Sequence, residues 1–235
     1  MNRHQFYVLD TTEACDTRLF AGGQWVNDTR QRCPVCGVLV ETEPSEIAIA
    51  LNHLGKHGFA EHLWNSHSLP IFRQDLIELW QTKGLSGFVI RPVRIVGWYR
   101  NLKKPLPKNL PSYYRLVARG KVRLNVPTPL GTVCPRCGFA GYAFPKLRTR
   151  LTNGIRIDPT SWDGSDFFGL AQYVFVFCTR RVAETTLQAG YSRHIVFIRT
   201  QDFLRWEEFD MRKGWTPEKH RQYVESFLIR RIEDL

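Results

Sequence analysis

The pentad CPVCG at residues 33–37 recurs as CPRCG at residues 134–138, and together the two pentads contain four of the six cysteines in the 235-residue chain. Two residues between cysteines allow both sulfurs to reach one ion from a tight turn, and the following glycine permits the left-handed backbone that closes the turn. Two such turns supply the four thiolates that a structural Zn²⁺ ion prefers. The sequence therefore predicts one structural zinc ion bound by Cys33, Cys36, Cys134 and Cys137.

Three other interpretations of the cysteine pairs remain open. The pairs could be redox-active, although a strand before and a long helix after each pair, typical of thioredoxin-like proteins, are missing. They could hold an iron–sulfur cluster, or they could be relics that no longer bind metal. The long segment between the pentads does not argue against a shared ion, because each doubling of loop length costs only about 0.6 kcal/mol.

Composition narrows the class of protein. Hydrophobic residues make up 43% of the chain and aromatic residues 13%, which excludes a disordered sequence. No apolar run reaches the roughly 18–20 residues of a membrane span, and the N-terminal sequence lacks the apolar stretch of a signal peptide. We therefore expect a cytoplasmic protein with reduced thiols. The chain contains no nucleotide-binding, hydrolase or kinase motif, and we expect no enzymatic activity.

The net charge of +11 is concentrated in one part of the chain. Residues 79–157 include 16 lysines and arginines and no acidic residue. Aromatic residues lie among the cations, a mixture that suits nucleic acid or an acidic protein surface, while a solvated basic face without a partner is the third possibility. The candidate partner-binding residues are Lys103, Lys104, Lys108, Arg115 and Arg119.

Local patterns predict the secondary structure. Strands are expected at residues 5–9, 87–99, 112–126, 172–178 and 194–200, the third of them interrupted by a tight turn at Gly120. Helices are expected at residues 44–58, 69–84, 179–190 and 216–233. Gly84 and Gly190 are expected to end the second and third helices, and Thr179 to cap the start of the third.

Residues 75–93 and 181–200 share one plan, which is a helix, a glycine, an apolar residue, a serine and then a strand with an arginine. Each copy follows a CPxCG pentad, which indicates internal duplication, although the plan itself is common. We therefore predict an α+β fold in one compact unit over residues 1–235, with two similar helix–strand halves joined by a zinc-ribbon-like centre of two CPxCG knuckles. The expected parts are a first half at about 1–97, a basic linker at 98–111, a second half at 112–204 and a C-terminal helix at 216–233.

Two further clusters have a functional and a structural interpretation. His53, His57, His62 and His67 could form a second metal site, or they could belong to a histidine-rich surface helix and loop. Residues 163–169, DGSDFFG, could place two catalytic acids close together, but a turn that caps a short helix is favoured.

The pentads and their surroundings resemble a known family. An N-terminal FY strand, a Trp shortly before CPVCG, the sequence YYRLVARGKV before CPRCG, and WDGSDFF before a strand, helix, glycine and strand are similar to the myxobacterial double-CXXCG paralogous family. The resemblance covers nearly the whole chain. It implies a non-enzymatic immunity protein that binds and neutralises a cognate lipoprotein toxin transferred by kin cells. The alternative from the residues alone is a zinc-ribbon nucleic-acid-binding protein or regulator.

Overall fold

The computed structural model describes residues 5–11, 19–26, 30–37, 39–41, 46–51, 58–63, 69–99, 101, 103–125, 134–136, 155–169, 176–203, 218, 222 and 225–235. Within these ranges the chain combines two large sheets and two two-stranded ribbons with two α-helices. The expected α+β class is confirmed.

The strands, in chain order, are β1 (Phe6–Thr11), β2 (Leu19–Val26), β3 (Arg30–Arg32), β4 (Leu39–Glu41), β5 (Glu46–Leu51), β6 (His62–Leu63), β7 (Ile71–Arg73), β8 (Phe88–Trp98), β9 (Tyr113–Ala118), β10 (Gly120–Lys121), β11 (Arg123–Leu124), β12 (Ile157–Asp158), β13 (Phe167–Gly169), β14 (Val176–Thr179) and β15 (Ile195–Arg199). One sheet has the order β2-β5-β8-β9-β7-β6, the other the order β10-β13-β14-β1-β15, and the ribbons are β3-β4 and β11-β12. Only the β5–β8 and β10–β13 pairs are parallel.

Each large sheet contains one split β-α-β unit, in which two parallel strands flank an antiparallel one. In the six-stranded sheet, β9 lies between β7 and β8 and pairs antiparallel with both. In the five-stranded sheet, β1 lies between β14 and β15 in the same way. The strands of each large sheet therefore come from both sides of the basic segment at residues 98–111, so the sheets do not follow the boundaries expected for the two halves.

The helices are α1 (Gln74–Thr82) and α2 (Arg180–Gln188), and each joins the outer strands of its unit. Apolar residues at helical spacing form a buried face on both helices. Gly84 (φ +63°) and Gly190 (φ +84°) take the left-handed conformation that ends a helix. The expected helix ends at these two glycines are thus confirmed.

The central core is formed by both helices and the facing sides of both large sheets. Trp80 of α1 is fully buried there, and its Nε1–H donates a 2.9 Å hydrogen bond to Oγ1 of Thr186 in α2. Separate apolar clusters cover the opposite side of each sheet. Because alternate residues of a strand point to opposite faces, each sheet is buried on both sides where these clusters lie.

Three expectations about secondary structure are wrong. Residues 71–73, within the expected helix at 69–84, form the strand β7, and α1 begins only at Gln74. Residues 46–51, within the expected helix at 44–58, form the strand β5, which pairs with β2 and β8 and is buried along nearly its whole length. A short, continuously apolar run such as EIAIAL has no periodicity that separates a buried strand from a helix. Gly120 is not a hairpin turn, because β9 and β10 do not pair with each other, and β10 pairs instead with β13.

The remaining expectations are met in part. The strands expected at residues 5–9, 87–99 and 194–200 correspond to β1, β8 and β15. Thr179 precedes α2, but its hydroxyl donates to Oδ1 of Asp166 instead of capping the helix. The C-terminal helix does not reach residue 233, since Ile229 forms a β-bridge with Phe197 and a short 3₁₀ helix follows at Ile232–Asp234. Most of residues 216–225 lie outside the described ranges.

We expect Thr186→Val to destabilise the protein by about 1–3 kcal/mol, because it leaves the indole N–H of Trp80 buried without its acceptor. Urea unfolding followed by tryptophan fluorescence measures the change. The control variant is Thr185→Val. It makes the same Thr-to-Val change at the neighbouring, half-buried position of α2 and leaves the bond to Trp80 intact. Equal midpoints for the two variants would contradict a stabilising role for the contact between the helices.

Candidate metal centre

The first pentad lies at the tip of the β3-β4 ribbon. Arg30 pairs with Glu41 and Arg32 with Leu39, so the chain must reverse between Cys33 and residue 38. The N–H of Gly37 donates a 2.8 Å hydrogen bond to the carbonyl of Cys33, and Gly37 has a φ of +73°. A residue with a Cβ is strained at this φ, so glycine is what allows the turn to close.

The second pentad lies in the segment that leaves β11 and returns as β12. Arg123 pairs with Asp158 in this ribbon, and the N–H of Asn125 donates a 2.7 Å bond to the carbonyl of Arg156. Cys134 is described and is 6% exposed, as is Cys33. Cys137, the fourth predicted ligand, lies outside the described residues.

The structure brings the three described cysteines of the pentads together. The Sγ atoms of Cys33, Cys36 and Cys134 all lie within 4.8 Å of one another, although Cys33 and Cys134 are 101 residues apart in sequence. The Sγ atoms of Cys33 and Cys134 are 3.7 Å apart, too far for a disulfide, and none of the three cysteines forms one. Two sulfurs bound at about 2.3 Å to one tetrahedral ion lie about 3.8 Å apart. The cluster could therefore hold a metal ion.

Local hydrogen bonds prepare the first knuckle for a cation. Backbone N–H groups of Cys36 and Val35 point at the sulfur of Cys33 and lower the pKa of its thiol to about 6. A thiolate is the form that binds metal, so the turn favours the charge state that an ion requires. The knuckle lies at the surface, where Cys36 is exposed and Val35 is 60% exposed.

Cys178 has a different environment. It lies in β14, is fully buried in the central core, and burial raises the pKa of its thiol well above the usual value. A neutral thiol packed among apolar side chains behaves as a small hydrophobic residue. Cys178 therefore belongs to the core and not to the cluster, as its sequence context indicated.

The five candidate partner-binding residues do not form one surface. Lys103, Lys104 and Lys108 are exposed in the loop that follows β8, but Arg115 is only 7% exposed within β9. Arg119 is exposed, but it lies beyond the far end of β9. The paired part of β8 and β9 runs from Val93–Tyr113 to Phe88–Ala118, and at about 3.3 Å per residue this separates the loop from Arg119 by roughly 17–20 Å. Arg115 and Arg119 are therefore removed from the candidate surface.

The aromatic residues that favoured nucleic acid are mostly unavailable for stacking. Trp98 is 8% exposed, with the amino group of Lys104 at 5.2 Å from its ring centre. Tyr113 is 2% exposed, and Tyr114 packs against the central core. Tyr99 is the one ring of the four that is well exposed, at 42%. A stacking platform for bases needs several open rings, which these four residues do not provide.

The histidine and aspartate clusters have structural roles where they are described. His62 lies in β6, stacks on Phe72 with ring centres 4.4 Å apart, and burial lowers its pKa to about 3. His53, His57 and His67 lie outside the described residues. Asp163 accepts hydrogen bonds from the backbone N–H groups of Lys121 and Ser165, as a turn residue does, but the segment continues into strand β13 and caps no helix.

A polar cluster that the sequence did not predict connects α1 with residues 191–194. Arg73 binds Asp75 with two 2.7 Å hydrogen bonds, and Asp75 also accepts one from the hydroxyl of Tyr191. Glu61 binds Nδ1 of His194. Burial alone would raise the pKa of Glu61, but the hydrogen bond from His194 and the charge of Arg73 hold it below the usual value. These residues are scattered in the sequence and carry no motif.

Comparison with known proteins does not assign the chain to a family. No model of a known protein family matches it, and no curated protein matches it significantly. In the part of the chain that the structure describes, no helix has both the length and the apolar character needed to cross a membrane.

We expect the purified protein to contain one zinc ion per chain, and Cys134→Ser to release it and destabilise the whole molecule, because the ion joins distant segments. Elemental analysis and hydrogen exchange measure both effects. Exchange should increase in the first ribbon, residues 30–41, as well as near residue 134. Cys178→Ala is the matched control and should retain the metal. A shared ion would be contradicted by a zinc content near zero or two ions per chain. An increase in hydrogen exchange confined to residues near Cys134 would also contradict it.

In the metal-free protein, alkylation of Cys33 by iodoacetamide should reach half its maximal rate near pH 6, because the thiolate is the reactive form. Cys178 should stay unmodified up to about pH 9, since its thiol is buried and its pKa is raised. Peptide mass spectrometry after timed labelling distinguishes the two sites. A half-maximal rate for Cys33 near pH 8.5, the value of an ordinary thiol, would show that the knuckle does not stabilise the thiolate.

Proposed function

We propose that the chain is a non-enzymatic cytoplasmic immunity protein that neutralises a cognate toxin, with a structural zinc ion at its cysteine cluster and an exposed cationic loop as part of its binding surface. The observation that carries the binding proposal is the loop between β8 and β9. There, Lys103, Lys104 and Lys108 are exposed, and no carboxylate of the described residues lies within ion-pair distance of them.

The described residues of this loop make several contacts with one another and with the sheet. The N–H of Asn101 donates to the carbonyl of Trp98, that of Lys104 to Asn101, and that of Leu110 to Pro107. The indole of Trp98 donates to the carbonyl of Pro105 at 3.2 Å. Leu106 and Leu110 pack against the apolar cluster beneath the sheet. A loop fixed in this way presents its charges without a large loss of conformational entropy on binding.

The charge of the loop favours an acidic partner. Complementary charge accelerates association and disfavours partners of the wrong sign. With most nearby rings covered, an acidic protein surface fits the loop better than stacked bases do. The resemblance of the two pentads and their context to the double-CXXCG family supports a toxin as that partner. The approach of Cys33, Cys36 and Cys134 supports a shared metal ion, and with Cys137 as the proposed fourth thiolate the site would leave no open coordination position for catalysis.

The charge-reversal variant Lys103→Glu/Lys104→Glu should slow association with the toxin by about tenfold at low ionic strength, and the difference should shrink as salt is added. The probe is a candidate lipoprotein toxin chosen because co-expression of this chain prevents its toxicity, with association followed by stopped-flow fluorescence. The fold should persist, because exposed charges contribute little to stability.

The matched control is a double reversal at the other end of the hairpin, Arg119→Glu/Lys121→Glu, which changes the net charge by the same amount. If both variants slow association equally, the effect comes from net charge and not from the loop. A 20-nucleotide single-stranded DNA provides the second arm. If reversal in the loop abolishes salt-sensitive binding to DNA and leaves toxin binding unchanged, the nucleic-acid alternative replaces the immunity proposal.

A further inference from the structure

We propose that the chain consists of two copies of one ancestral unit that have exchanged their first strands, with the cysteine cluster on the pseudo-two-fold axis between them. The two copies lie within one chain and contact each other through equivalent surfaces. The interface between them is therefore self-complementary. The inference concerns the architecture and does not rest on the identity of any external partner.

The helices give the first correspondence. Both have nine residues, and Trp80 and Thr186, which occupy the same position in each, are 106 residues apart. The backbone carbonyl of Trp80 accepts a hydrogen bond from the N–H of Leu85 at 3.0 Å. The carbonyl of Thr186 accepts one from the N–H of Tyr191 at 3.2 Å, so both helices end with the same backbone hydrogen bond. These bonds show that the plan shared in the sequence corresponds to one local structure.

The strands before the helices correspond as well. The N–H of Arg73, just before α1, donates to the carbonyl of Glu61, and the N–H of Thr179, just before α2, donates to that of Asp166. A short strand follows each acid and pairs antiparallel with the strand before the helix, β6 with β7 and β13 with β14. The same order of acid, short strand, second strand, helix, glycine and strand therefore occurs twice.

The middle strands complete the unit, but each comes from the other copy. Phe6 of β1 pairs with Thr179, and Tyr113 of β9 pairs with Arg73, so these two strands occupy equivalent places. Their sequences begin FYVL and YYRL. Each strand precedes a CPxCG pentad in the chain. β1, the first strand of copy one, thus completes the sheet of copy two. β9, the first strand of copy two, completes the sheet of copy one.

Contacts between equivalent residues locate the axis. A residue touches its own counterpart only where a two-fold axis passes close by. Trp80 and Thr186 make one such contact at 2.9 Å, and Cys33 and Cys134 make another at 3.7 Å. The cysteine cluster of Cys33, Cys36 and Cys134 therefore lies close to the axis. By this symmetry Cys137 corresponds to Cys36 as the fourth ligand.

Reciprocal contacts join the two copies away from the axis. The second residue of each helix reaches the end of the other helix, since Asp75 accepts from Tyr191 and Arg181 donates to the carbonyl of Lys83 at 2.7 Å. Asp166 accepts from the N–H of Ser86, just before β8, while Glu61 binds His194, just before β15. Contacts that recur in both directions are those expected of an isologous interface.

The test uses the full chain with a site for a specific protease inserted between Lys108 and Asn109, both of which are exposed in the loop. After cleavage the two fragments should elute together at the size of the intact protein, with one metal ion per pair. Their thermal midpoint should become concentration-dependent, as in any two-chain assembly. The uncleaved insertion variant is the control and should show no such dependence. Fragments that separate in native buffer would overturn the proposal.

A matched pair of substitutions tests the strand exchange itself. Leu9 in β1 and Leu116 in β9 are both buried in the central core. In the cleaved protein, Leu9→Ala should increase hydrogen exchange most in β14 and β15, which belong to the other fragment. Leu116→Ala should do so in β7 and β8. If each substitution instead acts first on the remaining strands of its own fragment, the two copies are independent and the exchange proposal is wrong.

Discussion

The pairing of β1 with β14 and β15 is the interaction on which the rest of the structure depends. It places an N-terminal strand at the centre of a sheet whose other strands come from the C-terminal part of the chain. The reciprocal position of β9 between β7 and β8 makes the dependence mutual. The helices then cover both sheets with one core, in which Trp80 contacts Thr186. A metal ion at the cysteine cluster would add a cross-link between segments 101 residues apart. Stability is therefore shared by the whole chain and is not divided between its halves.

The sequence predicted the elements whose signals are local. Gly84 and Gly190 ended the helices as expected, because a left-handed residue after an amphipathic run has few alternatives to glycine. Strands β1, β8 and β15 had clear β-rich patterns. The run at residues 46–51 was assigned to a helix because burial on both faces removes the alternation that identifies a strand. The exchange of β1 and β9 could not be predicted, since strand order depends on tertiary contacts that periodicity does not encode.

The candidate site was predictable where chemistry requires a fixed spacing. The CPxCG spacing predicted that Cys33, Cys36 and Cys134 would come together, because two turns of this kind can direct their sulfurs at one ion. The excess of basic residues in this part of the chain was visible in the sequence, but which of them share one exposed surface was not. A strand carries Arg115 into the interior and places Arg119 at the opposite end of the hairpin from Lys103, which charge counting along the sequence does not show. The polar cluster around Arg73 and Glu61 depends on residues from distant elements and has no sequence signature.

The exchanged strand has a consequence for synthesis on the ribosome. β1 is translated well before both of its neighbours, since Phe6–Thr11 precedes β14 at Val176–Thr179 and β15 at Ile195–Arg199 in the chain. At 5–20 residues per second, the interval is about 10 to 40 s. During that time a largely apolar strand, with the sequence FYVLDT, lacks the two neighbours that pair with both of its edges in the fold. We therefore expect the yield of native protein to depend on how well the nascent chain is protected from aggregation during this interval.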